Sequence, residues 1–356
     1  MFKTKKLVAV DIGSSAVKVV QLGGYPASTA IEKFAMAAIP VGSIENGIVV
    51  DASAIMTVLK TVVSKLGIKG RRAAISVSGS GVMLKKIKVS RTMDANFDEQ
   101  ILGEAAKSFQ LDLSEMYFDY AEMGQSFGTT SDVDVLLLGA RREVIEQYVS
   151  IVKGAGLEIG VMESGAISVA NMFELNYGTV EGLIMIVSIG ASHLQVGFVE
   201  HGRFLFSQEM PIGGDQYTTS IMQGMNLPRE AAEALKIGIS SNPAAVTPEL
   251  TRMMAETSTL ISNDIRQCIS FFRSSPEGDD VGPLKYCFLT GGASRTVHLD
   301  SAIAAAIQVP VHFVNPFQKV EIKTKDLRLE QIGTISSMVS CAVGLGLRLK
   351  NDKVAV

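Results

Sequence analysis

One ten-residue pattern occurs twice in the chain. Residues 10–19 read VDIGSSAVKV and residues 187–196 read VSIGASHLQV. Ile12-Gly13 aligns with Ile189-Gly190, Ser15 with Ser192, Val17 with Leu194 and Val19 with Val196, without a gap. Each copy follows an apolar run (LVAV, LIMIV) and leads into an alternating one, which predicts a β-hairpin turning through glycine. The copies stand half a chain apart in 356 residues, so the pattern predicts a duplicated fold: two related α/β lobes, each presenting a glycine turn.

Two such turns facing one another would frame a cleft. Backbone N–H groups of Gly13, Ser14 and Ser15 and of Gly190, Ala191 and Ser192 are placed to close on a polyphosphate from both sides. Small residues suit this role because the backbone itself must approach the anion. Lys18 adds positive charge, and Asp11 is the candidate to hold Mg²⁺ through water, since Mg²⁺ sheds its hydration shell reluctantly. Three further sites fit the same cleft. EMPIGGDQYTTSIM puts Gly213-Gly214 between a strand and a helix, and YCFLTGGASR puts Gly291, Gly292 and Ala293 in the same context. In NLPREAAEALKIG, Glu233 and Lys236 share one helix face.

Composition removes several alternatives. Hydrophobic residues are 47% and the net charge is −3, so cores are affordable and the basic footprint of a nucleic-acid binder is missing. Three scattered cysteines make no disulfide framework and suit a reducing compartment. The four histidines stand apart from them, without zinc spacing. No apolar run reaches the length of a membrane span, and the run after the basic start stops at Asp11, too soon for a signal peptide. A soluble, cytoplasmic protein is expected. There is no Walker G-x-x-x-x-G-K-[ST]. GQSFG at 124–128 satisfies G-x-S-x-G, but it sits in a polar stretch without the strand–elbow–helix context.

In their order, these motifs resemble those of the actin-like ATPases, and within them the PilM family of type IV pilus assembly proteins, with the division protein FtsA more distant. DIGSSAVKVV resembles the first phosphate motif, SIGASHLQV the second, LTGGAS the adenosine motif and AEALKIG the Glu-x-x-Lys helix. VMESGAISVANMFE (161–174) and SCAVGLGLR (340–348) resemble the two interlobe connections, and VNPF (314–317) a PilM-type segment. The resemblance implies a two-lobed actin-like (ribonuclease H-like) α/β fold with an FtsA-type inserted α+β subdomain. The first lobe would span 1–180, with the insertion at about 81–162. The second would span 181–350, with a smaller subdomain at about 221–284, and a C-terminal helix at about 333–350 would return towards the first lobe. The resemblance also implies ATP with Mg²⁺ and, as partner, the cytoplasmic N-terminal tail of PilN, bound by the inserted subdomain. It implies attachment to the inner membrane through that partner, because the closing NDKVAV is no amphipathic anchor. One position departs from the family pattern: Ser188 replaces the aspartate usual in the second phosphate motif. A hydroxyl neither attracts a cation comparably nor acts as a base, so binding is expected with weak or absent hydrolysis. Alternatives on the same fold are a small-molecule kinase and a nucleotide-dependent filament protein.

Overall fold

The computed structural model describes residues 7–24, 28–45, 47–68, 71–79, 81–91, 96–109, 113–125, 132–241, 247–279 and 281–349. The chain opens with β1 (Val8–Ile12), β2 (Ala16–Gly23), β3 (Ala30–Ala38), the short strands β4 (Ile44–Glu45) and β5 (Ile48–Val49), α1 (Ala52–Lys65) and β6 (Arg72–Val77). It departs through β7 (Val82–Ser90), α2 (Phe97–Phe109), β8 (Met116–Gln125) and β9 (Asp132–Arg141), and returns with α3 (Arg142–Gly154) and β10 (Glu158–Ser164). Helix α4 (Gly165–Tyr177) leads to the second half: β11 (Leu183–Ile189), β12 (Leu194–Glu200), β13 (Arg203–Met210), α5 (Gly214–Met225), α6 (Arg229–Ser241), α7 (Pro248–Arg273), β14 (Leu284–Thr290), α8 (Leu299–Ile307) and β15 (Val311–Phe313). The described chain closes with β16 (Glu321–Ile322), α9 (Leu329–Ile335) and α10 (Ser340–Gly346).

The duplication is visible in the sheets. The first runs β10-β6-β1-β2-β3-β16 and the second β15-β14-β11-β12-β13 when written in the same sense. Each has its hairpin antiparallel at the centre, a third antiparallel strand outside it, and two parallel strands on the other flank. Even the register repeats: Asp11 faces Lys18 and Ile12 faces Val17, as Ser188 faces Gln195 and Ile189 faces Leu194. Both first strands are almost wholly buried, which explains their near-continuous apolar sequence.

Three apolar layers follow from the two sheets. Helices α1 and α3 cover one face of the first sheet around Ile55, Leu59, Tyr148 and Ile151. Helices α5 to α8 cover the outer face of the second. Between the sheets lies a shared core of Ala9, Val20 and Ile31 from one lobe and Ile184, Ile186 and Phe288 from the other, filled by α4 and α10. These two helices approach closely at Gly344, where a Cβ would stand 1.7 Å from the Ser168 carbonyl oxygen. Only glycine fits there.

Two sequence-based boundaries change. The insertion is shorter than 81–162: its sheet, β7-β9-β8, and α2 enclose a core of Ile87, Val89, Ile101, Ala105, Val133, Val135 and Leu137. Strand β10 pairs in parallel with β6, and Tyr148, Ile151 and Val152 of α3 are buried with the residues of α1, so both elements belong to the first lobe. The helices at 221–284 share one core with the second sheet. The helix expected over 333–350 is two helices, α9 and α10, interrupted by a 3₁₀ turn at Ser336–Met338. There the Ser337 carbonyl leaves the helix to accept the Gly291 N–H at 2.7 Å. Most of GQSFG (126–128), part of the polar loop at 242–246, and residues after 349 lie outside the described residues.

Candidate functional site

The two hairpin turns face one another across a cleft with a volume of about 620 Å³, a size typical of small-molecule sites. Each turn is closed by the same bond: Gly13 N–H to the Ala16 carbonyl at 3.1 Å, and Gly190 N–H to the His193 carbonyl at 2.9 Å. They also touch, since the Ser192 N–H donates to Ser14 Oγ at 3.2 Å. A Cβ on Gly13 would meet Lys18 Nζ at 3.0 Å, so the glycine makes room for the lysine head.

Thirteen of the sequence candidates line this cleft: Asp11, Gly13, Ser14, Ser15, Lys18, Gly190, Ala191, Gly214, Glu233, Lys236, Gly291, Gly292 and Ala293. Two stand one layer behind it. The Ser192 hydroxyl faces His193 Nδ1 at 3.3 Å. At Gly213 a Cβ would stand 2.7 Å from the carbonyl oxygens of both Gly190 and Ala191, so its bare backbone supports the second turn from below. The N-terminus of α5 completes that support, with Gly214 N–H bonding the Gly190 carbonyl at 2.9 Å and Asp215 N–H the Ala191 carbonyl at 2.8 Å. Gly291 has φ +89° and sits against the Ile189 backbone, a conformation and a spacing that both demand glycine.

The charged groups are paired. Asp11 takes Lys18 Nζ at 3.1 Å on one oxygen and the Ser76 hydroxyl at 3.2 Å on the other. Lys236, only 12% exposed, binds Glu233 at 2.6 Å, Thr218 Oγ1 at 3.0 Å and the Gly214 carbonyl at 3.2 Å. The Glu233–Lys236 pair is thus a tie between α6 and the N-terminus of α5, not a solvated surface pair. Lys18, Lys236 and Arg295 face two carboxylates, Asp11 and Glu233, in the lining, which favours an anionic occupant. Ser337, 2% exposed, lines the cleft with a hydroxyl that has no hydrogen bond; a buried polar atom left so indicates a missing partner. Ser188 also lines the cleft, opposite Gln195. Where the first hairpin has Asp11–Lys18, the second has an uncharged pair.

Sequence reasoning did not single out Ser76, His193, Gln195, Arg295, Ser337 and Cys341, all in the lining. His193 and Gln195 lie inside the quoted repeat and were readable from its alternation. Arg295 follows the double glycine by three residues. Cys341 lies inside the quoted SCAVGLGLR segment. Ser337 carries no local signal; it reaches the cleft because α9 breaks where it does. The Cys341 thiol is pushed well above its usual pKa, first by burial and then by the Asp11 carboxylate.

Comparison with known proteins fits this geometry. A family model described as type IV pilus assembly protein PilM matches residues 9–350. The chain belongs to the PilM family. Among solved structures, the chain is similar to one described as a PilM-PilN type IV pilus biogenesis complex. The TM-score is 0.82 at 22% identity, covering 96% of this chain and 98% of that one. It is also similar to the ethanolamine utilization protein EutJ from Carboxydothermus hydrogenoformans, with TM-score 0.57, 15% identity and coverage of 97% and 90%. MreB5 of Spiroplasma citri, bound to AMPPNP, gives TM-score 0.54 at 12% identity over 96% and 95%. The fold is that of the actin-like ATPases, and membership of the family assigns the chain to type IV pilus assembly.

Proposed function

We propose that the protein binds Mg²⁺–ATP in the interlobe cleft and serves the pilus platform by holding the cytoplasmic tail of PilN. The observation that carries the nucleotide reading is the pair of identically closed glycine turns meeting across a cation-lined cleft. Support comes from MreB5, which shares the fold with AMPPNP bound. In this reading Lys18 would hold the phosphates and Asp11 would hold the hydrated Mg²⁺. The metal would neutralise phosphate charge. Mg²⁺ would arrive with its nucleotide and keep most of its water. Hydrolysis is weak: Asp11 is assigned to the cation, Glu233 is tied to Lys236, and Ser188 supplies no base. With no lining carboxylate left over, the same assignment argues against a small-molecule kinase, which needs a base for its substrate hydroxyl.

The groove for the tail is the seam between the inserted sheet and the first lobe. Strand β10 is an open edge of the first sheet, and a cavity of about 220 Å³ beside it is lined by Leu84, Tyr120, Leu138, Val161 and Met162. Glu163 and Arg348, 3.4 Å apart, line the same cavity. An extended peptide can take main-chain bonds from such an edge and seat alternate side chains in the pockets. No helix among the described residues is long and apolar enough to cross a membrane, and the reading places the protein at the inner membrane through PilN. Support comes from the PilM-PilN complex, similar over nearly the whole chain. Two binding assays test the proposal. Titration calorimetry should show Mg²⁺–ATP binding that Gly13→Val abolishes; normal binding by that variant would place the nucleotide elsewhere. A synthetic PilN tail should be captured by the wild type and about tenfold less by Leu138→Arg, since a cation in an apolar seat costs more than ~1.4 kcal/mol. Equal capture would move the groove.

A further inference from the structure

Strand β13 of the second lobe grips the insertion at both ends. At its start, Arg203 Nη2 donates to the Met123 carbonyl of β8 at 3.3 Å and stands 3.7 Å from Asp134 Oδ2 of β9. At its far end, Glu209 Oε2 accepts the Gly79 N–H at 2.9 Å. Gly79 belongs to the root of the insertion. Its φ of +110° and the Gly47 carbonyl, 2.6 Å from any Cβ there, fix it as glycine. Two residues on, the Gly81 carbonyl accepts the Arg141 N–H at 2.9 Å, tying the entering and leaving strands together.

The second oxygen of Glu209 faces His193. It is sealed from solvent without a hydrogen bond, 3.4 Å from His193 Nε2. His193 lines the cleft, is 20% exposed, and its other nitrogen stands 3.3 Å from Ser192 Oγ. The Ser192 N–H, in turn, is spent on Ser14 of the opposite lobe. An occupant with phosphate oxygens between the turns would meet His193, which lines the cleft. A carboxylate oxygen without a hydrogen bond in a buried site gains substantially from a few tenths of an ångström of approach. The 3.4 Å contact is therefore placed to close into a charge-assisted hydrogen bond when the ring is displaced.

We propose that Glu209 couples the nucleotide cleft to the peptide groove, so that a nucleoside triphosphate changes the affinity of the insertion for its peptide. This deepens the function proposed above and rests on it. The route is short. From the second phosphate turn it passes through His193 and Glu209 to Gly79, and from there into β7, whose Leu84 lines both the peptide cavity and the neighbouring cleft beside Glu209. Glu209 does not line the nucleotide cleft, so its loss leaves nucleotide binding in place. Coupling of this kind is reciprocal: the peptide changes nucleotide affinity by the same factor.

The test uses full-length protein, AMPPNP with Mg²⁺, and a fluorescent synthetic PilN tail peptide read by anisotropy. In the wild type, saturating nucleotide should change the peptide Kd at least about fivefold, the lower end of ordinary coupling. In Glu209→Ala, and in Glu209→Gln, which retains the shape if the alanine variant fails to fold, the change should fall below twofold. Each ligand alone should still bind these variants within about twofold of wild type. Hydrogen exchange of the amides at 78–84 should respond to nucleotide in the wild type and not in the variants. An equal Kd change in wild type and variants would overturn the coupling role, as would two bound ligands with no change in the wild type. A wild type that binds neither ligand would remove the underlying reading, and this inference with it.

Discussion

In the proposed nucleotide reading, Ser188 is the residue that bears most on hydrolysis. It occupies the place that mirrors Asp11, and its cross-strand neighbour is Gln195 where Asp11 has Lys18. Ser188→Asp should bind Mg²⁺–ATP and raise phosphate release at least tenfold over a wild type close to background, checked by a coupled phosphate assay. Wild-type turnover near ~10 s⁻¹, ordinary for an enzyme, would contradict the weak-hydrolysis reading. Cys341 offers a second readout. Burial and the Asp11 carboxylate hold its thiol protonated well above the usual range, so little reactive thiolate exists at pH 8. Alkylation should be slow there, rise about tenfold per pH unit beyond pH 9, and slow further when Mg²⁺–ATP fills the cleft. A rate that levels off near pH 8.5, as for a free cysteine, would show the thiol unperturbed.

Among the elements, the pair α4 and α10 bears the greatest constraint. Their contact at Gly344 leaves no room for a methyl group, and both helices fill the core shared by the lobes. Gly344→Ala should destabilise the fold by about 1–3 kcal/mol, the usual cost of overpacking, measured by chemical denaturation; a neutral result would mean the helices separate freely. The repeat made much of this architecture legible. VDIGSSAVKV and VSIGASHLQV identified two hairpins, and the structure repeats them down to register and strand order. Helix α7 begins at a cap, where Thr247 accepts the Leu250 N–H with Pro248 next. What the sequence concealed is long-range. Strand β10 reads like any strand of the insertion until β6, some eighty residues earlier, claims it as a partner. The break between α9 and α10 depends on Gly291, which takes a carbonyl from the turn. Gly213 looks like a phosphate-binding residue, and only packing shows that it serves the turn in front of it.

At the scale of the molecule, the cleft is bounded by both lobes, and ligand binding must stabilise them together. At a nucleotide concentration of about 100 times Kd, linkage contributes about 2.7 kcal/mol, which should appear as a single upward shift of one melting transition. Two transitions, only one of them shifted, would mean the lobes unfold separately and the ligand is held by one of them.

The order in which the chain is made meets a constraint in this architecture. Strand β1 at 8–12 is synthesised long before its partners: the face of its sheet that points to the shared core is covered by α10 at 340–346, and β3 receives its outer partner only from β16 at 321–322. A nascent first lobe therefore carries a bare apolar face and an open strand edge until β16 and α10 have left the ribosome. Such surfaces attract one another and invite misassembly. The early half must wait for the late half.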